Sequence, residues 1–162
     1  MGIRRLNHAV LYIRDVQRSV AFYRDVLAFR VVHELPGAAF LQAPESDNDH
    51  DLGLFQVGPD VGDSTAGRST VGLYHLAWTV ETLADLADHA SRLRAAGALV
   101  GASDHVTTKA LYAKDPDGLE FEVNWLVPLD RVTEDMRATV ATRPLDLDAE
   151  IAHWGADLVG MA

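Results

Sequence analysis

Two hydrophobic periods alternate along the first sixty positions. Ala9 to Ile13 is a β-prone run. Asp15 then precedes Val16, Val20, Tyr23 and Leu27, an apolar series at helical spacing with an N-cap residue in front. Phe29 to Leu35, Ala38 to Gln42 and Leu52 to Val57 read as strands, separated by Pro36-Gly37 and by the polar stretch 44–49. A glycine-rich linker over 59–72, introduced by Gly58 and containing Gly62, Gly67 and Gly72, interrupts the pattern.

After the linker the pattern restarts. Leu73 to Val80 predicts a strand. Leu83, Leu86, Ala90, Leu93 and Ala96 predict a helix, with Gly97 placed to end it. Strands are predicted at about 105–114 and 119–127, joined by the turn Asp115-Pro116-Asp117-Gly118. At an offset of 67 positions Leu6 falls on Leu73, His8 on His75, Ile13 on Val80 and Val16 on Leu83. A duplicated β-α-β-β-β unit accounts for this order. The expected organisation is one α+β domain over 1–127, built from modules at about 1–58 and 73–127, followed by an acidic extension over 128–162. The extension contains Pro128 and Pro144 and reads as a surface element, a lid or a dimer arm.

Composition narrows the chemistry. The 162 residues contain no cysteine, which removes disulfides, thiolate metal sites and cysteine nucleophiles together. Lys and Arg total 14 against 24 Asp and Glu, a net charge of -10, so the basic face a nucleic acid needs is not expected. Arg4 and Arg5 have no long apolar run after them, so neither a signal peptide nor a membrane span is expected, and the reading is cytoplasmic. Seven histidines remain, and any transition metal would have to be held by imidazole and carboxylate.

His8 and His75 occupy the same place in the two repeats. A third ligand would come from another strand of the same cleft, and Glu122 is the candidate, with Glu120 on the same strand face. A half-buried histidine bonded to backbone is the ordinary reading of either histidine alone; their paired placement favours a metal.

These features resemble the vicinal oxygen chelate superfamily, which includes glyoxalases, bleomycin resistance proteins and extradiol dioxygenases. The resemblance covers about residues 3–127 and rests on the paired histidines and on the turn 115–118 followed by Glu122. It implies a U-shaped metal cleft formed by two paired modules, with His8, His75 and Glu122 as ligands. Lactoylglutathione lyases place a fourth ligand, a glutamate, near the position held here by Gly53.

Two further segments resemble the extradiol dioxygenases in particular. One is His50-Asp51-Leu52-Gly53-Leu54, whose histidine corresponds to the family's acid–base residue. The other is His105, Leu111-Tyr112 and the turn leading to Glu122; Ser103 departs from the usual choice two residues before the histidine. The spacing from His50 to His75 is longer than the family's. The resemblance implies an Fe(II)-dependent ring-cleavage dioxygenase of a catechol-type substrate and O2, with Mn(II) an alternative ion. His50, His105 and Tyr112 would be its catalytic groups, and a homodimer its assembly. Alternatives on the same scaffold are a metal-dependent glyoxalase-like lyase or thiol transferase, and a binding or resistance protein without turnover. Phe55, Trp78 and Trp125 are candidate pocket walls. His33, His89 and His153 are expected to be structural or solvent-facing.

Overall fold

The computed structural model describes residues 2–3, 5–66 and 69–161. Arg4 and the linker's Gly67 lie outside them. The chain divides into two compact units, Met1–Ser64 and Thr65–Ala162.

The first unit runs β1 (Ala9–Ile13), α1 (Val16–Leu27), β2 (Arg30–Leu35), β3 (Ala38–Gln42) and β4 (Leu52–Gln56). The sheet order is β1-β4-β3-β2, with β1 parallel to β4 and the other pairs antiparallel. Asp15 caps α1 by accepting from the Arg18 N–H. Val16, Val20, Tyr23 and Leu27 are the buried face of that helix. Period-two alternation sorts the strands into two faces. Leu41, Leu52 and Leu54 are fully buried. Gly53, with Val10 and Phe40 as its register partners, falls on the opposite face. Pro36-Gly37 makes the β2–β3 turn, with Gly37 at a φ of 76°.

The second unit repeats the plan with β5 (Leu76–Thr79), α2 (Leu83–Ala95), β6 (Leu99–Asp104), β7 (Thr108–Lys114) and β8 (Glu120–Leu126). Its sheet order is β5-β8-β7-β6, again with a parallel first–last pair. Thr82 and Asp85 form a reciprocal capping box at the start of α2. Leu83, Leu86, Ala90 and Leu93 are buried beneath it. The α+β class and the repeated element order are those the sequence predicts.

Two strand starts move and one strand is added. Strand β5 starts at Leu76 rather than Leu73. The strand expected from 105 starts at Thr108. Strand β6, Leu-Val-Gly-Ala-Ser-Asp, carries little β-branched or aromatic signal and was not legible in the pattern.

The extension is laid on the second unit. It contains α3 (Glu134–Ala138), β9 (Arg143–Pro144) and α4 (Leu147–Trp154). Strand β9 pairs with β6, matching Ser103 to Pro144 and Asp104 to Arg143. Helix α4 packs on α2. The Trp125 indole donates to the Leu158 carbonyl at 3.2 Å and its ring lies 6.1 Å from that of Trp154. No helix among the described residues is long and apolar enough to cross a membrane.

Candidate functional site

In each unit the histidine of the repeat sits one residue before the first strand: His8 before β1 and His75 before β5. Strand register shows what faces them. Val10 pairs with Gly53 and Ala77 with Glu122. Val10 and Ala77 are equivalent at the offset of 67, so Gly53 and Glu122 occupy equivalent positions of the two sheets. One register step across, Gly53 is matched with Phe40 and Glu122 with Tyr112. The same lattice position therefore holds glycine beside phenylalanine in the first unit and glutamate beside tyrosine in the second.

In the second unit His75 Nε2 lies 3.4 Å from Glu122 Oε2. The other carboxylate oxygen, Oε1, accepts from Asn124 Nδ2 at 2.6 Å, and Asn124 Oδ1 accepts from the Thr79 hydroxyl at 3.0 Å. This pins the carboxylate with Oε2 towards the imidazole. His75 Nδ1 is buried with no hydrogen-bond partner among the described residues, so Nε2 is the nitrogen that engages. Two donors on one divalent ion, each at about 2.1 Å and at a right angle, stand ~3 Å apart. The separation of 3.4 Å and the pairing of a carboxylate oxygen with an imidazole nitrogen fit such an ion. Within neither unit do three His, Asp or Glu side chains among the described residues converge as a ligand group.

Tyr112 lies beside this pair, its ring 5.9 Å from that of His75. Burial, and then the charge of Glu122 and a hydrogen bond to it, push the phenol pKa up to about 12. Tyr112 therefore keeps its proton at neutral pH. Its hydroxyl is 2.8 Å from His105 Nε2.

In the first unit the His8 and His50 rings stand 4.7 Å apart, and Phe40 meets His50 edge-on at 5.1 Å. His50 is the penultimate residue of the nine-residue connection between β3 and β4, which is built around one carboxylate. Asp51 accepts from the Ala43 N–H at 2.8 Å, the Ser46 hydroxyl at 2.8 Å and Asn48 Nδ2 at 2.7 Å. Asp49 Oδ1 is 2.8 Å from the His50 N–H and 3.1 Å from His50 Nδ1. His8 Nδ1 is 2.8 Å from Asn7 Oδ1. Each of these second partners fixes which ring nitrogen its histidine offers elsewhere.

The structure thus brings His8 to His50 in one unit, and His75, Glu122, Tyr112 and His105 together in the other. Two wall candidates are corrected. Trp78 and Trp125 alternate with Ala77 and Glu122, so they face the helix side of the sheet. Trp125 is fully buried there. Phe55 is two residues from Gly53 and shares its face, against Phe40 at 5.8 Å. His33 lies on β2, His89 within α2 and His153 in α4, away from these groups. Sequence reading missed Asn124, Asp49 and Asn7. Asn124 alone carried a signal, a polar residue in register with Glu120 and Glu122 on an otherwise apolar strand.

Residues 5–123 match the Glyoxalase/Bleomycin resistance protein/Dioxygenase superfamily, and the chain belongs to that superfamily. Within it, the chain is 39% identical over 115 residues to biphenyl-2,3-diol 1,2-dioxygenase 3 of Rhodococcus globerulus, covering 70% of this chain and 59% of that one. It is 33% identical over 118 residues to catechol-2,3-dioxygenase of Bacillus subtilis (strain 168), covering 73% and 40%. The chain thus spans about half the length of the curated relatives it matches. Among solved structures, lactoylglutathione lyase from Agrobacterium tumefaciens superposes with a TM-score of 0.57 at 23% identity, over 76% of this chain and 95% of that one, a likeness of fold.

Proposed function

We propose that this protein is an Fe(II)-dependent extradiol dioxygenase that cleaves the ring of a catechol-type substrate beside the diol. The observation that carries the reading is the His75 Nε2–Glu122 Oε2 pair at 3.4 Å, flanked by the Tyr112–His105 hydrogen bond at 2.8 Å. His75 and Glu122 would hold the ion, with His8 as the third ligand. Two imidazoles and one carboxylate are the donor set of non-haem iron oxygenases. When bound, Fe(II) (or Mn(II)) supplies Lewis acidity towards the diol oxygens and the means of passing electron density to O2.

The reaction balances without an external reductant. One ring carbon–carbon bond next to the diol breaks, and both atoms of O2 enter the open-chain product. Tyr112, protonated at neutral pH, would donate to the substrate oxygen as negative charge gathers on it. His105 would hold that phenol in place. His50, beside His8, would take and return a proton, as imidazole side chains do in general acid–base catalysis. Phe40 and Phe55 would line the face with apolar edge and exclude water.

The transferase reading gives no role to His50, His105 and Tyr112, and the lyase reading is disfavoured by the equivalence of Gly53 and Glu122. A second carboxylate would come from that position, and glycine has none to give. A resistance protein without turnover has no use for the Asn124–Glu122–His75 arrangement.

The test is anaerobic loading with Fe(II), followed by a panel of catechols and then air. A yellow ring-opened chromophore with O2 uptake is expected. Iron-loaded protein that consumes no O2 with any catechol would contradict the proposal.

A further inference from the structure

The extension after residue 127 touches the candidate site at one group. The β6–β7 connection, 105–107, is a single tight turn. Thr107 N–H donates to the His105 carbonyl at 2.9 Å, and Val106 between them has a φ of 71°. An i→i+2 hydrogen bond around a positive φ is the rare, strained form of γ-turn. At a β-branched residue it is costlier still.

Such a turn persists only when its surroundings over-determine it. Here they do. Asp104 Oδ1 accepts from the Val106 N–H at 2.8 Å and from Lys109 Nζ at 2.5 Å. Lys109, buried on the helix side of the sheet, also meets Glu150 Oε2 of α4 at 3.1 Å. Strand β9 lies along β6 opposite Asp104. The residue just before β9, Thr142, places its hydroxyl 3.2 Å from His105 Nδ1. The extension therefore reaches the ring directly through Thr142 and the turn indirectly, through Glu150, Lys109 and Asp104.

Proton directions follow from the partners. Glu122 is the cross-strand neighbour of Tyr112 and its carboxylate only accepts, so it orients the phenol hydrogen towards itself. The phenol lone pair is then free to accept from His105, whose Nε2 must carry the hydrogen. In a neutral imidazole that leaves Nδ1 bare, and the Thr142 hydroxyl is its donor. We propose that the C-terminal extension is a positioning device for His105: Thr142 selects the Nε2–H tautomer, and Glu150, through Lys109 and Asp104, holds the strained turn that presents the ring. The inference rests on the reading of His105 as a group that orients Tyr112 during turnover.

Two variants of the full chain test it. Thr142→Val keeps the shape and removes the hydroxyl; Thr142→Ser restores it. The ring 15N shifts of His105, recorded without iron, should show a bare Nδ1 and a protonated Nε2 in the wild type. They should converge towards a mixed pair in Thr142→Val and separate again in Thr142→Ser. With iron and a catechol, Thr142→Val should lower kcat about tenfold with KM little changed, the usual scale for groups that orient an active-site ligand. Unchanged ring shifts in Thr142→Val would overturn the tautomer assignment. The shifts decide this even if the wild type consumes no O2, a result that would instead sink the dioxygenase reading. Val106→Gly probes the turn. Relief of the backbone strain should keep or raise Tm while kcat falls about tenfold. A raised Tm with unchanged kcat would overturn the clamp.

Discussion

The two modules share a sheet order, a helix and a histidine before the first strand, yet each departs from the common plan at a different connection. In the first module the β2–β3 turn is the two residues Pro36-Gly37, and the long excursion is 43–51, between β3 and β4. In the second, the β7–β8 connection is the compact turn 115–119, and the irregular element is the strained turn 105–107 before β7. Each irregularity carries a histidine, His50 in one and His105 in the other. Each is stabilised by a neighbouring carboxylate that accepts several hydrogen bonds, Asp51 in one and Asp104 in the other. The lattice position facing the repeat histidine differs too, with Gly53 in one and Glu122 in the other. Duplication supplied the frame, and divergence at three positions removed the symmetry of the chemistry.

The largest expected effect breaks the ligand half of this comparison. His75→Ala should abolish stoichiometric Fe(II) binding and leave turnover undetectable, measured by metal analysis and O2 uptake. His8→Ala should do the same. His50→Phe comes next. It should retain iron and substrate binding while kcat falls by ~10²–10⁴-fold, the range for loss of an acid–base group. Loss of iron in that variant would mean that His50 is a ligand and the assignment is wrong.

Gly53→Glu sharpens the comparison by making the two sheets alike. A Cβ at Gly53 would sit 3.4 Å from Val10 Cγ2 and 3.5 Å from a Phe55 ring carbon, ordinary contacts for a Cβ. A new carboxylate there would compete for an open position on the ion. Metal retention with kcat lowered by about tenfold is expected, read from iron content and steady-state rates.

Asp104→Asn acts on stability. Burial raises the Asp104 pKa, but hydrogen bonds from Lys109 and the Val106 N–H, with the charges of Lys109 and Arg143, outweigh it and leave it lowered. A carboxylate with a depressed folded pKa stabilises the fold fully above its unfolded pKa of about 3.9, and that contribution is lost as pH falls through the folded value. The variant should be less stable by about 1.5–3 kcal/mol at pH 7. The gap to wild type should narrow below about pH 4, as thermal melts across pH will show.

The smallest effect lies at the helix ends. Helix α2 is followed by Gly97 at a φ of 66°, whereas α1 is followed by Ala28 at 60°. Ala28→Gly should stabilise by about 0.5 kcal/mol, because glycine adopts this conformation without a Cβ clash. Gly97→Ala should cost a similar amount.

Most of the frame could be read from the chain. Both helices announced themselves by apolar spacing and capping residues, and the offset of 67 carried the repeat from one module to the other. Strand β6 escaped because Gly101, Ala102 and Ser103 give it no strand signature; its place is fixed by pairing with β7, which is a tertiary fact. Residues that act by a side-chain hydrogen bond were less accessible. Asn124 and Asp49 are common polar types next to conspicuous ones, and nothing local says which oxygen they meet. Thr142 lies 37 residues from His105, and only the pairing of β9 with β6 brings it near. Ring size alone makes Trp78 and Trp125 candidate walls, yet strand alternation assigns them to the opposite face from Glu122.

The central proposal is that His8, His75 and Glu122 would hold one iron and that both atoms of O2 enter a catechol during turnover. Turnover of a catechol by the Fe(II)-loaded protein under 18O2, with mass spectrometry of the product, tests it directly. The account predicts a ring-opened product carrying two 18O atoms, formed by the wild type and by neither His75→Ala nor Glu122→Gln. A product with one label or none, or equal labelling in those variants, would contradict it.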